Sequence, residues 1–302
     1  FKDLWRCKMQ QTLMEYVKDI LPEIAKHTMK NPAVTPENVL QKGNPALSKI
    51  LDEMVDDLVL ENSEFRHPEH LEEFLDEVKK GKKGIILAEH YSNLDYPAFI
   101  NLMKKTGTKG TELAEKCIAM AGLKLGEDNP YVAAFASAYD RIYIYPSRSI
   151  KSIKDPEVLA EELKRSKMIN LASMRALEKA KEEGRVILVY PAGTRYRPGK
   201  PETKKGVKEI DSYIKMSDIM LLVSSNGNCL RISDSGDMTE DTVWKDRLIF
   251  DASPVINCEE YREKVKAEHQ NLTGIDKKQA VVDQVMADLE KMHEANEIGR
   301  LN

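Results

Sequence analysis

The stretch from Gly84 to Asn101, GIILAEHYSNLDYPAFIN, decides how the chain is read. Ile85, Ile86, Leu87 and Ala88 form a short apolar run between polar flanks, which predicts a buried strand, and Pro97 suits the first turn of a following helix. His90 and Asp95 therefore stand where strand gives way to helix. An imidazole titrates near neutrality and can take a proton from an alcohol if its tautomer and orientation are fixed. Asp95 is placed to fix both by accepting a hydrogen bond from His90 Nδ1. On its own this spacing is more often that of a helix-capping aspartate beside an ordinary loop histidine.

Working outward, the pattern after Gly84 consists of short β-rich runs separated by helical stretches, which predicts an α/β fold with a mostly parallel sheet flanked by helices. The expected strands are 85–88, 117–120, 142–145, 186–190, 219–224, 228–232 and 247–250. Helices are expected near 97–105, 130–138, 156–183 (as one helix or two), 204–215, 259–269 and 275–296. Before this unit, Leu13, Val17, Ile20, Leu21 and Ile24 recur at helical spacing. Leu47, Ile50, Leu51, Met54, Val55 and Leu58 do the same, as do Leu71, Phe74, Leu75 and Val78. The division expected is a helical bundle over residues 1–80 and an α/β domain over 81–302. Open α/β sheets bind ligands beyond the carboxyl ends of their strands.

Composition narrows the function. With 46 basic and 50 acidic residues, the net charge of -4 carries no footprint for nucleic acid. Apolar runs such as Val186 to Tyr190 are strand-sized, so a membrane-spanning helix is not expected. Cys7, Cys117, Cys229 and Cys258 lie far apart without CxxC pairing, as buried thiols of a reducing compartment would. His67 and His70 have a spacing that can chelate a metal, yet no third ligand follows from it, and no metal or cofactor is expected. The chain starts at Phe1, which leaves a removed targeting segment open.

Two later strand exits carry cations: Tyr145-Pro146-Ser147-Arg148-Ser149 and Pro191-Ala192-Gly193-Thr194-Arg195-Tyr196-Arg197-Pro198-Gly199-Lys200. Arg195 and Arg197 can turn two bidentate forks to one anion, Gly193 lets the backbone approach it, and Lys200 adds charge. Each arginine has the alternative of pairing with a carboxylate of its own surface. Asp234, Asp237 and Asp241 read as an acidic loop, and Trp5 and Trp244 as packing residues. Glu89 is expected to face solvent or a sheet neighbour.

Taken together, H-x-x-x-x-D after one strand and P-A-G-T-R-Y-R after a later one resemble the glycerophospholipid acyltransferase family, over roughly residues 80–235. The likeness is greatest to the soluble plastid-type glycerol-3-phosphate acyltransferases, which have P-S-G-G-R-D-R where this chain has Pro191 to Arg197. The resemblance implies that His90 and Asp95 are the catalytic dyad and that Arg195 and Arg197 bind substrate phosphate. Arg148 falls near a basic pair of the family's middle block, with Ser149 where the plastid enzymes carry histidine. Lysophosphatidate acyltransferases usually read P-E-G-T-R at the later motif; Ala192 replaces that glutamate, although Gly193-Thr194-Arg195 is shared.

The implied reaction moves an acyl group from an acyl carrier protein or coenzyme A thioester to glycerol 3-phosphate, with lysophosphatidate as the alternative acceptor. The implied setting is cytoplasm or plastid stroma. Peripheral membrane contact through an amphipathic helix in residues 1–30 stands against simple packing of that stripe. Two other classes compete: a metal-assisted phosphohydrolase, which lacks further ligands, and a non-catalytic lipid or acyl-carrier binding module, against which the intact dyad argues.

Overall fold

The computed structural model of the chain describes residues 11–27, 33–123, 130–151, 153–235 and 237–300. In chain order the strands are β1 (Gln11–Thr12), β2 (Leu40–Gln41), β3 (Glu64–Arg66), β4 (Gly84–Ala88), β5 (Cys117–Gly122), β6 (Arg141–Ile144) and β7 (Val186–Val189). They continue with β8 (Ile219–Asn226), β9 (Leu230–Arg231), β10 (Thr242–Val243), β11 (Ile249–Ala252) and β12 (Ile256–Asn257). The helices are α1 (Leu13–Val17), α2 (Leu21–His27), α3 (Pro45–Leu58), α4 (Pro68–Lys79), α5 (Asp95–Lys105), α6 (Thr108–Lys116) and α7 (Pro130–Ala136). After them come α8 (Ser147–Lys151), α9 (Pro156–Glu182), α10 (Ile210–Lys215), α11 (Cys258–Glu268) and α12 (Gly274–Arg300).

The main sheet runs β2-β6-β5-β7-β4-β8-β11-β3, with β12 also paired to β8. Its centre, β6-β5-β7-β4-β8, is parallel, and the antiparallel strands β2 and β11 lie outside it. This is the expected α/β architecture. Every residue of β4, β7 and β8 is buried, because helices cover both faces and a doubly covered strand reads as an unbroken apolar run. Side chains alternate between the faces: Ile86 and Ala88 pack with Leu51, Phe74, Phe99 and Met103 of α3 to α5. Ile85 and Leu87 pack with Leu177 of α9, Ile214 of α10 and Val281 and Val285 of α12.

Three expectations change. Residues 1–80 are not entirely helical: β2 pairs with β6, β3 pairs with β11, and α3 and α4 share one apolar core with the sheet. The strand expected at 228–232 shortens to β9 and belongs to a separate antiparallel sheet, β1-β10-β9. The helix expected at 204–215 begins only at Ile210, after a 3-10 turn at Pro201–Lys204. The 156–183 stretch is one helix, with Asp155 accepting from the Glu157 and Val158 N–H groups and Pro156 in the first turn.

No helix among the described residues is long and apolar enough to cross a membrane. Trp5 and Cys7 lie outside the described residues. The other three cysteines are free and buried, and burial pushes each thiol up to about 12. They stay protonated and inert at neutral pH.

Candidate active site

Strands β4 and β7 are parallel neighbours with Leu87 opposite Val189, so the loops leaving their carboxyl ends emerge side by side. That pairing brings the two sequence motifs together. His90 stacks on Tyr190 at 4.0 Å between ring centroids and 9° between planes. The backbone N–H of Tyr196 donates to the carbonyl of His90 at 2.8 Å.

The turn after β4 folds around one carboxylate. Asp95, in the first turn of α5, meets His90 Nδ1 through Oδ2 at 2.9 Å. The same oxygen accepts the Tyr91 N–H at 2.5 Å and the Ser92 N–H at 2.8 Å, while Oδ1 accepts the Ser92 hydroxyl at 2.8 Å. Four donors thus fix a buried carboxylate, and the carboxylate in turn sets the tautomer of the imidazole. Nδ1 carries the proton and Nε2, which has no partner among the described residues, is left as acceptor. His90 lines a cleft of about 220 Å³ together with Tyr91, Tyr196, Lys204, Met286 and Glu290.

The phosphate-binding candidates are distributed differently. Gly193 adopts φ +63 and its N–H closes a tight turn onto the Tyr190 carbonyl at 2.9 Å, which is its evident reason for being glycine. Arg195 gives Nη1 to Asp241 at 2.6 Å, and both side chains are buried. The reading of Asp241 as part of an acidic loop is corrected by this: it has no exposed surface and also accepts the Ser233 N–H. Arg197 is half-buried and Lys200 exposed on the same loop, joined by a backbone bridge. Neither they nor Arg195 and Gly193 line the cleft beside His90. The side chain of Arg148, on α8, lies outside the described residues.

The cation that does line the cleft is Lys204, which spacing did not single out. Its Nζ pairs with Glu290 Oε2 at 2.5 Å and lies 4.9 Å from the ring centre of Tyr196 and 5.8 Å from that of Tyr91. Its only sequence signal is proximity to the arginine motif. Glu89 does face a sheet neighbour, since its Oε2 accepts the Ser225 N–H of β8 at 3.0 Å. It also accepts the Tyr91 hydroxyl at 2.9 Å and pairs with His293 Nδ1 of α12 at 2.9 Å. Burial works against a charged His293, but the hydrogen bond and charge of Glu89 outweigh it and raise its pKa. Tyr91 is raised by burial first and by Glu89 second, so it remains a neutral donor. Tyr96 is a packing residue, buried edge-on against Tyr139.

At the far side of the sheet, His67, Glu69 and His70 bring ligand-type atoms within 4.8 Å of one another, so Glu69 supplies the third donor that spacing did not reveal. His67 Nδ1 is hydrogen-bonded to Glu69 and His70 Nδ1 to the Ala252 carbonyl. The His70 bond fastens the start of α4 to β11.

A model of the acyltransferase family matches residues 64–218, a span that contains both motifs. Comparison with curated protein sequences gave no match. Among solved structures, the chain is similar to the 1-acyl-sn-glycerophosphate (LPA) acyltransferase PlsC from Thermotoga maritima. Identity is 12%, the match covers 82% of this chain and 80% of that one, and the TM-score is 0.44.

Proposed function

The chain belongs to the acyltransferase family, and from that premise we propose that it acylates glycerol 3-phosphate, using an acyl carrier protein or coenzyme A thioester as donor. The observation that carries this reading is the His90 to Asp95 contact at 2.9 Å, set at a strand end and open to a cleft. His90 Nε2 takes the proton from a glycerol hydroxyl as its oxygen attacks the thioester carbonyl. Asp95 holds the ring and stabilises the imidazolium. The new ester forms as the carbon–sulfur bond breaks, and the imidazolium returns its proton to the leaving thiolate. No acyl-enzyme is required.

Arg197, Lys200 and Arg148 act in this proposal as the phosphate anchor, with Arg195 held in place by Asp241 and Lys204 adding a cation at the cleft itself. Anchoring the phosphate positions the hydroxyl and turns an encounter of two substrates into an oriented attack. Ala192, where a glutamate is usual in lysophosphatidate acyltransferases, favours glycerol 3-phosphate; the shared Gly193-Thr194-Arg195 keeps lysophosphatidate as the second acceptor to test.

The test is acyl transfer by purified protein and its His90→Ala variant, with each acceptor offered separately against each donor. Transfer by the wild type, lost in the variant and faster to glycerol 3-phosphate, is the expected result. Preference for lysophosphatidate would reassign the acceptor. Undiminished turnover by His90→Ala would sink the mechanism.

A further inference from the structure

Eight large apolar side chains stand exposed among the described residues, and four of them, Val158, Leu163, Met168 and Leu171, are on α9. The position of α9 explains why they have no cover. Asn170 bonds both the N–H and the carbonyl of Tyr145, the first residue beyond β6, at 2.7 and 3.0 Å, so it marks the carboxyl edge of the sheet. Lys181, near the other end of α9, donates to the Met216 carbonyl just ahead of β8 and so marks the amino edge. The helical turns before Asn170 therefore project past the carboxyl edge by about 20 Å at 1.5 Å per residue. That is the edge at which His90 and its cleft lie.

On this overhang and the turn that follows Asn170, Leu163, Met168 and Leu171 fall within roughly 140° of arc at 100° per residue, interleaved with Lys164 and Lys167 and followed by Arg175. All six side chains are exposed. The other ionic groups of the stretch are largely spent on one another: Glu162 accepts the Tyr145 hydroxyl and pairs with Arg165. No carboxylate lies between Leu163 and Arg175; Glu161 stands just before that stretch, and the exposed Glu157 and Glu178 lie about a turn beyond it at either end. In a chain of net charge -4, the middle of this face, from Leu163 to Arg175, is locally cationic. Apolar side chains standing between lysines on an exposed helix face match the chemistry of an anionic lipid surface, with the cations at headgroup level and the apolar side chains below it.

We propose that the face of α9 carrying Leu163, Lys164, Lys167, Met168 and Leu171 docks the protein on anionic bilayers, with the edge of the sheet that bears the cleft turned toward the lipid. Of residues 1–30, the region named from sequence for such contact, only 11–27 are described, and there Leu13, Val17 and Ile24 of the apolar stripe are buried in the core. The docking is independent of the acceptor and of turnover.

The experiment is flotation of the purified chain with vesicles of phosphatidylcholine, with and without phosphatidylglycerol, at low and high salt. Wild type is expected to float with the phosphatidylglycerol vesicles, less so as salt rises. Its partition should fall about tenfold or more both in L163S/M168S/L171S and in K164E/K167E. Circular dichroism should show the fold retained, and the lysine variant should melt like wild type, whereas the serine variant should melt a few degrees lower, because its three side chains are about half exposed and serine is a weaker helix former. The His90→Ala variant should float like wild type, which separates this proposal from the catalytic one. Absence of wild-type flotation, or undiminished flotation of both multiple variants, overturns the proposal. So does a result in which the same substitutions leave flotation intact but dissolve a homodimer or abolish binding of an acidic acyl carrier protein, since the face would then have a protein occupant.

Discussion

Ser92 does two things at once in the turn that presents His90. Its hydroxyl donates to Asp95 Oδ1 and accepts the Leu94 N–H at 3.1 Å, and the residue is 2% exposed. Ser92→Ala should therefore leave a buried N–H without a partner and Asp95 with one donor fewer, at a cost of about 1–2 kcal/mol in stability. Because Ser92 acts through Asp95, kcat should fall by about tenfold while KM for the acceptor hardly moves, a split that steady-state kinetics resolves. Tyr190 gives the opposite expectation. Its ring supports the His90 ring, but its hydroxyl is buried with no hydrogen-bond partner, and burial raises its pKa well above the ordinary value. Tyr190→Phe keeps the stack and removes the unsatisfied group, so thermal melting should show a gain of about 1 kcal/mol with transfer retained. A loss of transfer in Tyr190→Phe would mean that the hydroxyl has a role beyond support.

At the scale of elements, α12 is the strap that closes the site from outside the motif region. His293 pairs with Glu89, Asn226 donates to the His293 carbonyl at 2.9 Å, and Arg300 pairs with Asp246 at 2.9 Å. The folded pKa of His293 is raised above its ordinary value. Its pairing therefore contributes fully below the unfolded value of about 6.5 and is lost as pH rises through the folded value. Melting temperatures of wild type and His293→Gln should differ most on the acid side of neutrality and converge as pH rises; a constant difference would refute the charged pair. The helix of this strap was expected at 275–296, but its contacts with the site were not legible in the sequence, because His293 and Glu89 are 204 residues apart. The central strands were legible because burial on both faces leaves runs such as Ile219 to Val223 wholly apolar. By contrast β2 and β3, of two and three residues, are strands only because β6 and β11 offer open edges, and no local pattern encodes that. The dyad was legible for the reason that Lys204 was not: His90 and Asp95 are local to one turn, whereas the cleft around Lys204 exists only once α12 has packed.

For the molecule as a whole, the ion pair between Arg195 and Asp241 is a buried tie between the carboxyl edge of the main sheet and the small sheet. Arg195 leaves β7 in the arginine loop, while Asp241 immediately precedes β10 and its carbonyl accepts the Leu13 N–H at 2.8 Å. Removing one partner of a buried pair strands the other charge in low dielectric, which costs about 3–5 kcal/mol, far more than an exposed pair contributes. Arg195→Met should accordingly lower the melting temperature sharply as well as raise KM for the acceptor. A KM effect from that variant alone therefore cannot be assigned to a lost phosphate contact. Arg197 and Lys200 make no ion pair among the described residues, so Arg197→Ala and Lys200→Ala should read phosphate binding with little change in stability. The double variant Arg195→Met/Asp241→Asn separates the structural role of Arg195 from the proposed phosphate contact. The asparagine still accepts from Ser233 and no unpaired charge stays buried, so most of the stability should return while KM stays high. If the double variant instead recovered both stability and KM, Arg195 would hold the two sheets together without touching the acceptor, and the anchoring role would pass to Arg197, Lys200 and Lys204.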